Sequence, residues 1–484
     1  MTISRSRPAA EGHAQQAPHA QRETRAHQDA SAPRQARARV REQLPPDGQE
    51  CVLLKHGEIF LRGRNRARFE ELLHRNLRDA VRKRLPGSIW IEKGRSVTRV
   101  GGEASLDELV ACVRRVIGFN LVQPAVRIPS TVEDIGAHAV RALRQAEEER
   151  ARGRGELTFA VRAKRRDKTF PLTSSQLAAA VGERVCRETG AKVNLSSPDV
   201  ELAVEVERRT SFLSWTRIAG QGGLPVGSSG RALALLSGGY DSPVAAYRAM
   251  RRGLACDFVH FTGAPYTNAS SVYKAYALAR ELNRFQPHRT LWVVPLGKAQ
   301  KQLAVAGAGR LQVVAQRRLM ARTAAALGRR LGASALVTGD SLGQVASQTV
   351  ANMAAVDEAA ELPLLRPLLG WEKQEIIDEA KALGTAEVSV LPDEDCCSLL
   401  APRQVSTRAR VPDLHRVERR LELDELVEEL LAGAWSMEPG ADGAHAGARP
   451  DGSGGDRAQT GAPVPGQCPA PEEAGRRSTP EETG

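Results

Sequence analysis

The chain has 484 residues, 41% of them hydrophobic, and a formal net charge of +12, which leaves room for about three cored domains. No apolar run is long enough to span a bilayer, and no apolar stretch follows the N-terminal Arg residues as it would in a secretory signal. The seven cysteines include no CxxC pair, which argues against a zinc site or disulfide framework and for a reducing, cytoplasmic setting.

The first 48 residues hold 8 Arg against 5 acids, and the last 48 hold 4 Arg against 8. The positive surplus therefore sits in the middle of the chain, which favours a nucleic-acid partner. Residues 1–48, rich in Ala, Arg, Gln, His and Pro, read as a disordered basic arm. From 49 to 128 the pattern is strand, helix, strand, strand, helix, strand. Cys51–Leu54 and Leu121–Ile128 form the outer strands, Ile89–Ile91 and Val97–Val100 a hairpin, and Ala67–Leu85 and Leu106–Arg115 the helices. That order predicts a small ferredoxin-like domain. Arg62, Arg64, Arg66 and Arg68 make its first loop and helix start basic, which suits either a solvated face or phosphate contact.

Residues 129–219 read as a second α+β unit. Val132–Glu149 is helical, Thr158–Ala163 and Val200–Val206 alternate as strands, and Ser174 is placed to cap a helix over Ser175–Thr189. Lys164, Arg165, Arg166 and Lys168 form a basic turn before Phe170-Pro171. That turn, together with Val193-Asn194-Leu195-Ser196-Ser197-Pro198-Asp199, resembles the THUMP RNA-binding module, which implies a tRNA partner. Residues 220–230 are a Gly/Ser linker containing Pro225.

From 231 to 435 strands and helices alternate: strands at 232–236, 256–261, 291–295 and 334–338, helices at 241–252, 268–283, 299–305, 309–331 and 372–383. This predicts an α/β domain with a parallel sheet, whose ligands sit beyond the carboxyl ends of the strands. Its first strand runs into Ser237-Gly238-Gly239-Tyr240-Asp241-Ser242-Pro243. A Gly turn opening onto a helix points N–H groups at one spot and suits phosphate, with Asp241 placed as helix cap and Pro243 in the first turn. No Lys follows the glycines, so the Walker pattern is excluded. The run resembles the loop of PP-loop ATP pyrophosphatases, which bind the pyrophosphate end of ATP and adenylate a substrate. Residues 436–484, composed largely of Gly, Pro, Ala, Glu and Asp, read as a disordered tail.

Over 50–410 the sequence resembles one family, the tRNA uridine 4-sulfurtransferases, also tied to thiamine thiazole formation. The resemblance is carried by Gly57–Arg66, Ser237–Ala245, Val337–Thr349, Arg366-Pro367-Leu368 and Asp395-Cys396-Cys397. It implies that ATP with Mg²⁺ adenylates a uridine oxygen, after which a persulfide sulfur displaces AMP to give 4-thiouridine. The oxygen is a poor leaving group until it becomes a phosphate ester, and the departing pyrophosphate needs N–H groups and Mg²⁺ around it. By this resemblance Asp241 serves the metal or pyrophosphate step. Leu235, Leu236, Ser237, Gly238, Gly239, Ser242, His260, Phe261, Arg317 (beside Arg318), Gly339 and Gln348 form the ATP site. The family often has Lys where Arg317 stands. Cys396 matches the catalytic cysteine, with Cys397 as a second thiol or a mere neighbour, and Arg62, Arg64, Arg66, Lys164, Arg165, Arg166 and Lys168 face tRNA.

The resemblance also implies a homodimer. Many relatives carry a rhodanese-like domain where this chain enters its low-complexity tail, so the sulfur is expected from a cysteine desulfurase or another persulfide donor. Two other readings of the same residues are a non-catalytic tRNA-binding protein and a different PP-loop RNA-modifying ligase.

Overall fold

The computed structural model describes residues 39–41, 48–440 except 95, 151–156, 395 and 397–399, and 446–447. The basic arm and acidic tail read from the sequence, and Cys397, fall largely or wholly outside these residues, as do the side chains of Arg62 and Arg64.

The first two domains share one sheet. Its main strands are β1 (Glu50–His56), β2 (Ser88–Lys93), β3 (Val97–Gly102), β4 (Phe119–Pro129), β5 (Thr158–Arg165), β6 (Val200–Val206) and β7 (Thr210–Ser214), which lie side by side as β2-β3-β1-β4-β7-β6-β5. The short strands Arg39–Arg41, Lys192–Val193 and Ile218–Ala219 pair with β2, β5 and β4. The seam is β4, which pairs with β1 along one edge and, through Val126–Pro129, with β7 along the other. Helices α1 (Arg66–Arg84) and α2 (Leu106–Val113) cover the ferredoxin-like half; α3 (Val132–Arg150) and α4 (Ser174–Thr189) cover the THUMP half. Thr173, not Ser174, caps α4, because its hydroxyl accepts from the Gln176 N–H while Gln176 reaches back, and Ser174 is already the first helical residue.

The 220–230 segment is not a loose tether. Gly118 N donates to Gly222 O at 2.8 Å, Gly222 N to Phe119 O at 2.8 Å, Leu224 N to Arg251 O at 2.9 Å and Gly227 N to Gly253 O at 2.8 Å. Gly222 and Gly223 take φ of +61° and +72°, which other residues adopt only with strain, and a Cβ at Gly223 would collide with the Arg251 carbonyl. The strap binds both neighbours through its backbone.

The third domain holds the parallel sheet. Strands β8 (Arg231–Leu235), β9 (Ala255–Thr262), β10 (Leu291–Pro295), β11 (Ala335–Val337) and β12 (Leu364–Leu365) run parallel in the order β12-β11-β8-β9-β10, and β13 (Trp435–Met437) closes the β10 edge antiparallel. Alternate residues of β8 face opposite layers. Leu233 joins the core under α7 (Gly297–Val305) and α8 (Gln312–Arg330), while Ala232 and Ala234 join the core under α5 (Asp241–Arg251) and α6 (Ser270–Leu282). Order reverses at β8, whose neighbours are β9 on one side and β11 on the other. The crevice at its carboxyl end is therefore where a ligand belongs. Helices α9 (Val350–Ala359) and α10 (Lys373–Leu383) follow, then two short helices, Val411–Glu418 and Leu423–Ala432. No helix among the described residues is long and apolar enough to cross a membrane.

Candidate functional site

The loop after β8 is built by its serines. The Ser242 hydroxyl accepts from the Ser237 N–H at 2.9 Å and lies 3.0 Å from the Ser237 hydroxyl, and Gly239 N donates to Ser237 Oγ at 3.3 Å. Gly339, at the end of β11, sits against this loop. A Cβ there would stand 2.6 Å from the Ser242 nitrogen, so only glycine lets the end of β11 meet the first turn of α5.

Asp241 is the first residue of α5; Tyr240 takes the cap position and makes no capping bond with its side chain. The expected cap role is thus absent, because the Asp241 carboxylate turns outward. Lys373 Nζ, from the start of α10, lies 2.8 Å from one oxygen, and Gln344 Nε2 donates to the other at 3.1 Å. The negative charge also sits in the first turn of α5, where the helix dipole favours it.

Asp340 is the second anionic centre, buried one residue after Gly339. Arg317 donates to one oxygen. Arg366 Nε and the Thr338 hydroxyl donate to the other at 3.0 and 2.9 Å, and Gln348 Nε2 stands 3.5 Å away. Burial pushes its carboxyl up, but Arg317, Thr338 and Arg366 outweigh burial and hold it below the usual carboxylate range. Arg366 also pairs with Asp357 of α9 at 2.8 Å, which ties this centre to a neighbouring helix. Arg318 takes no part. One step round α8, it is fully buried and paired with Glu418 and Glu358, so its role is to hold the core.

At the rim of β9, His260 is buried, with Nδ1 2.9 Å from Leu236 O and Nε2 3.1 Å from Ser271 Oγ, while Phe261 lies in the opposite core layer. Neighbours on a strand point to opposite faces, so what the two residues offer together at the rim is their backbone. His260 fixes the end of β8: Leu236 N already donates to Val259 O at 2.8 Å, and its carbonyl meets the imidazole.

The segment carrying Cys396 is bolted to this rim. Buried Lys274 of α6 reaches Asp393 at 3.1 Å and also the Leu391 carbonyl. Asn268 N donates to Glu394 Oε2 at 2.8 Å, and Glu394 N to Ser270 Oγ at 3.2 Å. A Cβ at Gly238 would run into the Asp393 carboxylate, so the thiol segment packs directly on the glycine loop. Cys396 is 2% exposed, not on an open polar loop, and its carbonyl accepts from buried Gln300 Nε2 at 2.7 Å.

Among the described residues no group of three or more His, Cys, Asp and Glu side chains could hold a metal. Asp241 offers one carboxylate, already met by Lys373 and Gln344. That fits Mg²⁺ arriving on a nucleotide's phosphates, not a cage supplied by the protein.

On the sheet shared by the first two domains, Arg66 pairs with Glu70 at 2.8 Å within its own helix. Arg165 NH1 donates to Phe170 O at 3.1 Å. Arg166 bonds Glu205 at 2.8 Å and Ser96 Oγ at 3.0 Å across the domain junction, and Lys164 and Lys168 are exposed. Sequence reasoning did not pick out Lys373, Gln344, Asp340, Arg366 and Lys274 as site residues. Asp340, Gln344 and Arg366 carried a signal, each lying in a run that bears the family resemblance, and Asp340 also at a strand end.

Fold and site together define a PP-loop ATP pyrophosphatase domain behind ferredoxin-like and THUMP domains. Family models match in the same order: ThiI ferredoxin-like domain over 51–122, THUMP domain over 129–216 and thiamine biosynthesis protein (ThiI) over 227–423. A Nocardia farcinica protein named "Probable tRNA sulfurtransferase" is 57% identical over 391 residues, 81% of this chain and 94% of its own length. A Thermus thermophilus protein of the same name is 42% identical, over 79% and 93%. The crystal structure of a 4-thiouridine synthetase–RNA complex with bound ATP superposes with TM-score 0.73 at 28% identity, covering 81% of this chain and all of that one. The chain belongs to the tRNA sulfurtransferase family.

Proposed function

We propose that the protein uses ATP to activate a tRNA uridine and then replaces its oxygen with persulfide sulfur, giving 4-thiouridine. The observation that carries this reading is the packing of the Cys396 segment onto the glycine loop through Gly238, Asp393 and Lys274. It brings the sulfur-bearing side of the chemistry to the crevice that suits the nucleotide.

ATP lies with its phosphates on the N–H groups of Ser237–Gly239 and the start of α5. The uridine oxygen attacks the α-phosphorus, pyrophosphate leaves, and Lys373 offsets the charge released beside Asp241. Asp241 is the carboxylate that would hold Mg²⁺, which would supply further charge neutralisation for the phosphates. Arg317 and Gln348, oriented by Asp340, hold the rest of the nucleotide. A cysteine desulfurase or another persulfide donor leaves sulfane sulfur on Cys396 as a persulfide, whose outer sulfur attacks the activated carbon as AMP departs. A second thiol, Cys397 or a small external thiol, then takes the Cys396 sulfur as a disulfide, which breaks the S–S bond and frees the 4-thio group. An external thiol reduces that disulfide for the next turnover. The ferredoxin-like and THUMP domains hold the tRNA, with Lys164 and Lys168 as exposed phosphate contacts.

The test is reconstitution from purified protein, tRNA, ATP-Mg²⁺, desulfurase and cysteine, read by pyrophosphate release and by mass spectrometry of tRNA nucleosides. The reading expects both products, each dependent on tRNA. Pyrophosphate without any thionucleoside would point to a different PP-loop ligase, and neither product to a binding protein.

A further inference from the structure

We propose that Tyr266 is the platform on which the target uridine base stacks once it has left the RNA helix. The inference rests on the functional reading above and adds the residue that holds the base.

Among the described residues the exposed Phe, Tyr and Trp side chains are Tyr266 at 48% and Tyr273 at 39%. Tyr266 ends a turn that leaves the carboxyl end of β9, at the ligand-binding rim of the sheet. The turn is rigid: Tyr266 N donates to Gly263 O at 2.9 Å, and Gly297 N, opening α7, donates to Ala264 O at 3.2 Å. Two residues beyond Tyr266, Asn268 N holds the Glu394 carboxylate, and two residues beyond Glu394 stands Cys396. An exposed ring is thus fixed to a braced turn, and that turn is bonded to the thiol segment.

The chemistry calls for such a ring. A base edge cannot present its oxygen to an α-phosphorus and then its carbon to a persulfide while the base stays stacked in RNA, so the nucleotide must be extruded. An extruded base loses its stacking partners and regains one on an aromatic face. Tyr273, on α6, is the other exposed Phe, Tyr or Trp ring among the described residues, and the exposed His288 ring lies against Gly440. The neighbouring exposed apolar residues Val390 and Leu391 are aliphatic.

The direct test uses the full chain bound to tRNA that already carries 4-thiouridine, whose thiocarbonyl crosslinks to adjacent groups under near-ultraviolet light. Peptide mapping is expected to place the adduct on the Tyr266 turn. In steady state, Tyr266→Ala lowers kcat/KM for tRNA by about 10- to 100-fold, the range spanned by loss of one base–aromatic stack. Tyr266→Phe restores it, and the KM for ATP and the tRNA Kd shift by no more than about 2-fold, since phosphate contacts dominate affinity. An adduct elsewhere, or a Tyr266→Ala enzyme that thiolates at the wild-type rate, overturns the proposal and leaves the function standing. A wild-type enzyme that makes no 4-thiouridine overturns the functional reading itself.

Discussion

Two charge networks of similar composition do different work at the two ends of this molecule. Between the ferredoxin-like and THUMP domains, Lys55 and Arg166 each reach Glu205 at 2.8 Å, and Arg99 pairs with both Glu92 and Glu207. These cations already have protein partners, and the network fastens two domains that share a sheet. In the catalytic domain the pairs line a crevice: Lys373 with Asp241, Arg317 and Arg366 with Asp340, Lys274 with Asp393. Within that crevice Lys373 and Asp241 are the more open pair, at 44% and 22% side-chain exposure, against 19% and 6% for Arg317 and Asp340. The lesson is that position, not residue type, separates a fastening from a site. A closed pair stabilises, whereas a pair beside a glycine loop can exchange partners with phosphate.

The comparison can be broken from either side. Asp241→Asn should lower tRNA-dependent pyrophosphate release by about 10²- to 10³-fold, the scale for losing one charge-stabilising group, with an unchanged melting curve. A normal rate would mean that the Lys373–Asp241 pair is another fastening. Gly339→Ala forces a methyl to 2.6 Å from the Ser242 nitrogen. ATP binding followed by calorimetry should be lost or weakened more than tenfold, while tRNA binding by the first two domains persists.

Glu205→Ala should act the other way round, costing about 1–3 kcal/mol of stability by leaving Arg166 and Lys55 without their shared anion. ATP affinity should stay as it was, which denaturant melts and calorimetry check together. The smallest effect concerns pH. His74, buried against Thr98, is pushed down to about 4 by burial, against 6.5 for the free side chain. Between those values the unfolded chain binds a proton that the folded one refuses, so stability is present above 6.5 and drains away as pH falls toward 4. Hydrogen exchange in α1, corrected for intrinsic rate, should show weaker protection at pH 5 than at pH 7.

Much of this was legible in the sequence because its signals were local. Alternating apolar strands and amphipathic helices placed β8–β11 and α5–α8 within a few residues, and the glycine loop with Asp241 marked the turn from β8 into α5. What stayed hidden depended on tertiary partners. Helix α9 is rich in Ala, which marks no apolar stripe, and its cap, Thr349 accepting from Asn352 N, lay inside a run read as a motif. The helices Val411–Glu418 and Leu423–Ala432 and the edge strand β13 went unread near the low-complexity tail. Lys373 looks like any solvent-facing lysine opening a helix until Asp241, 132 residues away, appears beside it. The partners of the His260 ring were equally hidden, because only the fold shows that Leu236 and Ser271 meet its two nitrogens.

The central claim is that activation and sulfur transfer share one crevice but use different groups. Cys396→Ser, assayed with tRNA, ATP-Mg²⁺ and a persulfide donor, separates them most directly. The account predicts that tRNA-dependent pyrophosphate release continues while 4-thiouridine disappears from the nucleoside spectrum. Undiminished 4-thiouridine from Cys396→Ser would contradict it.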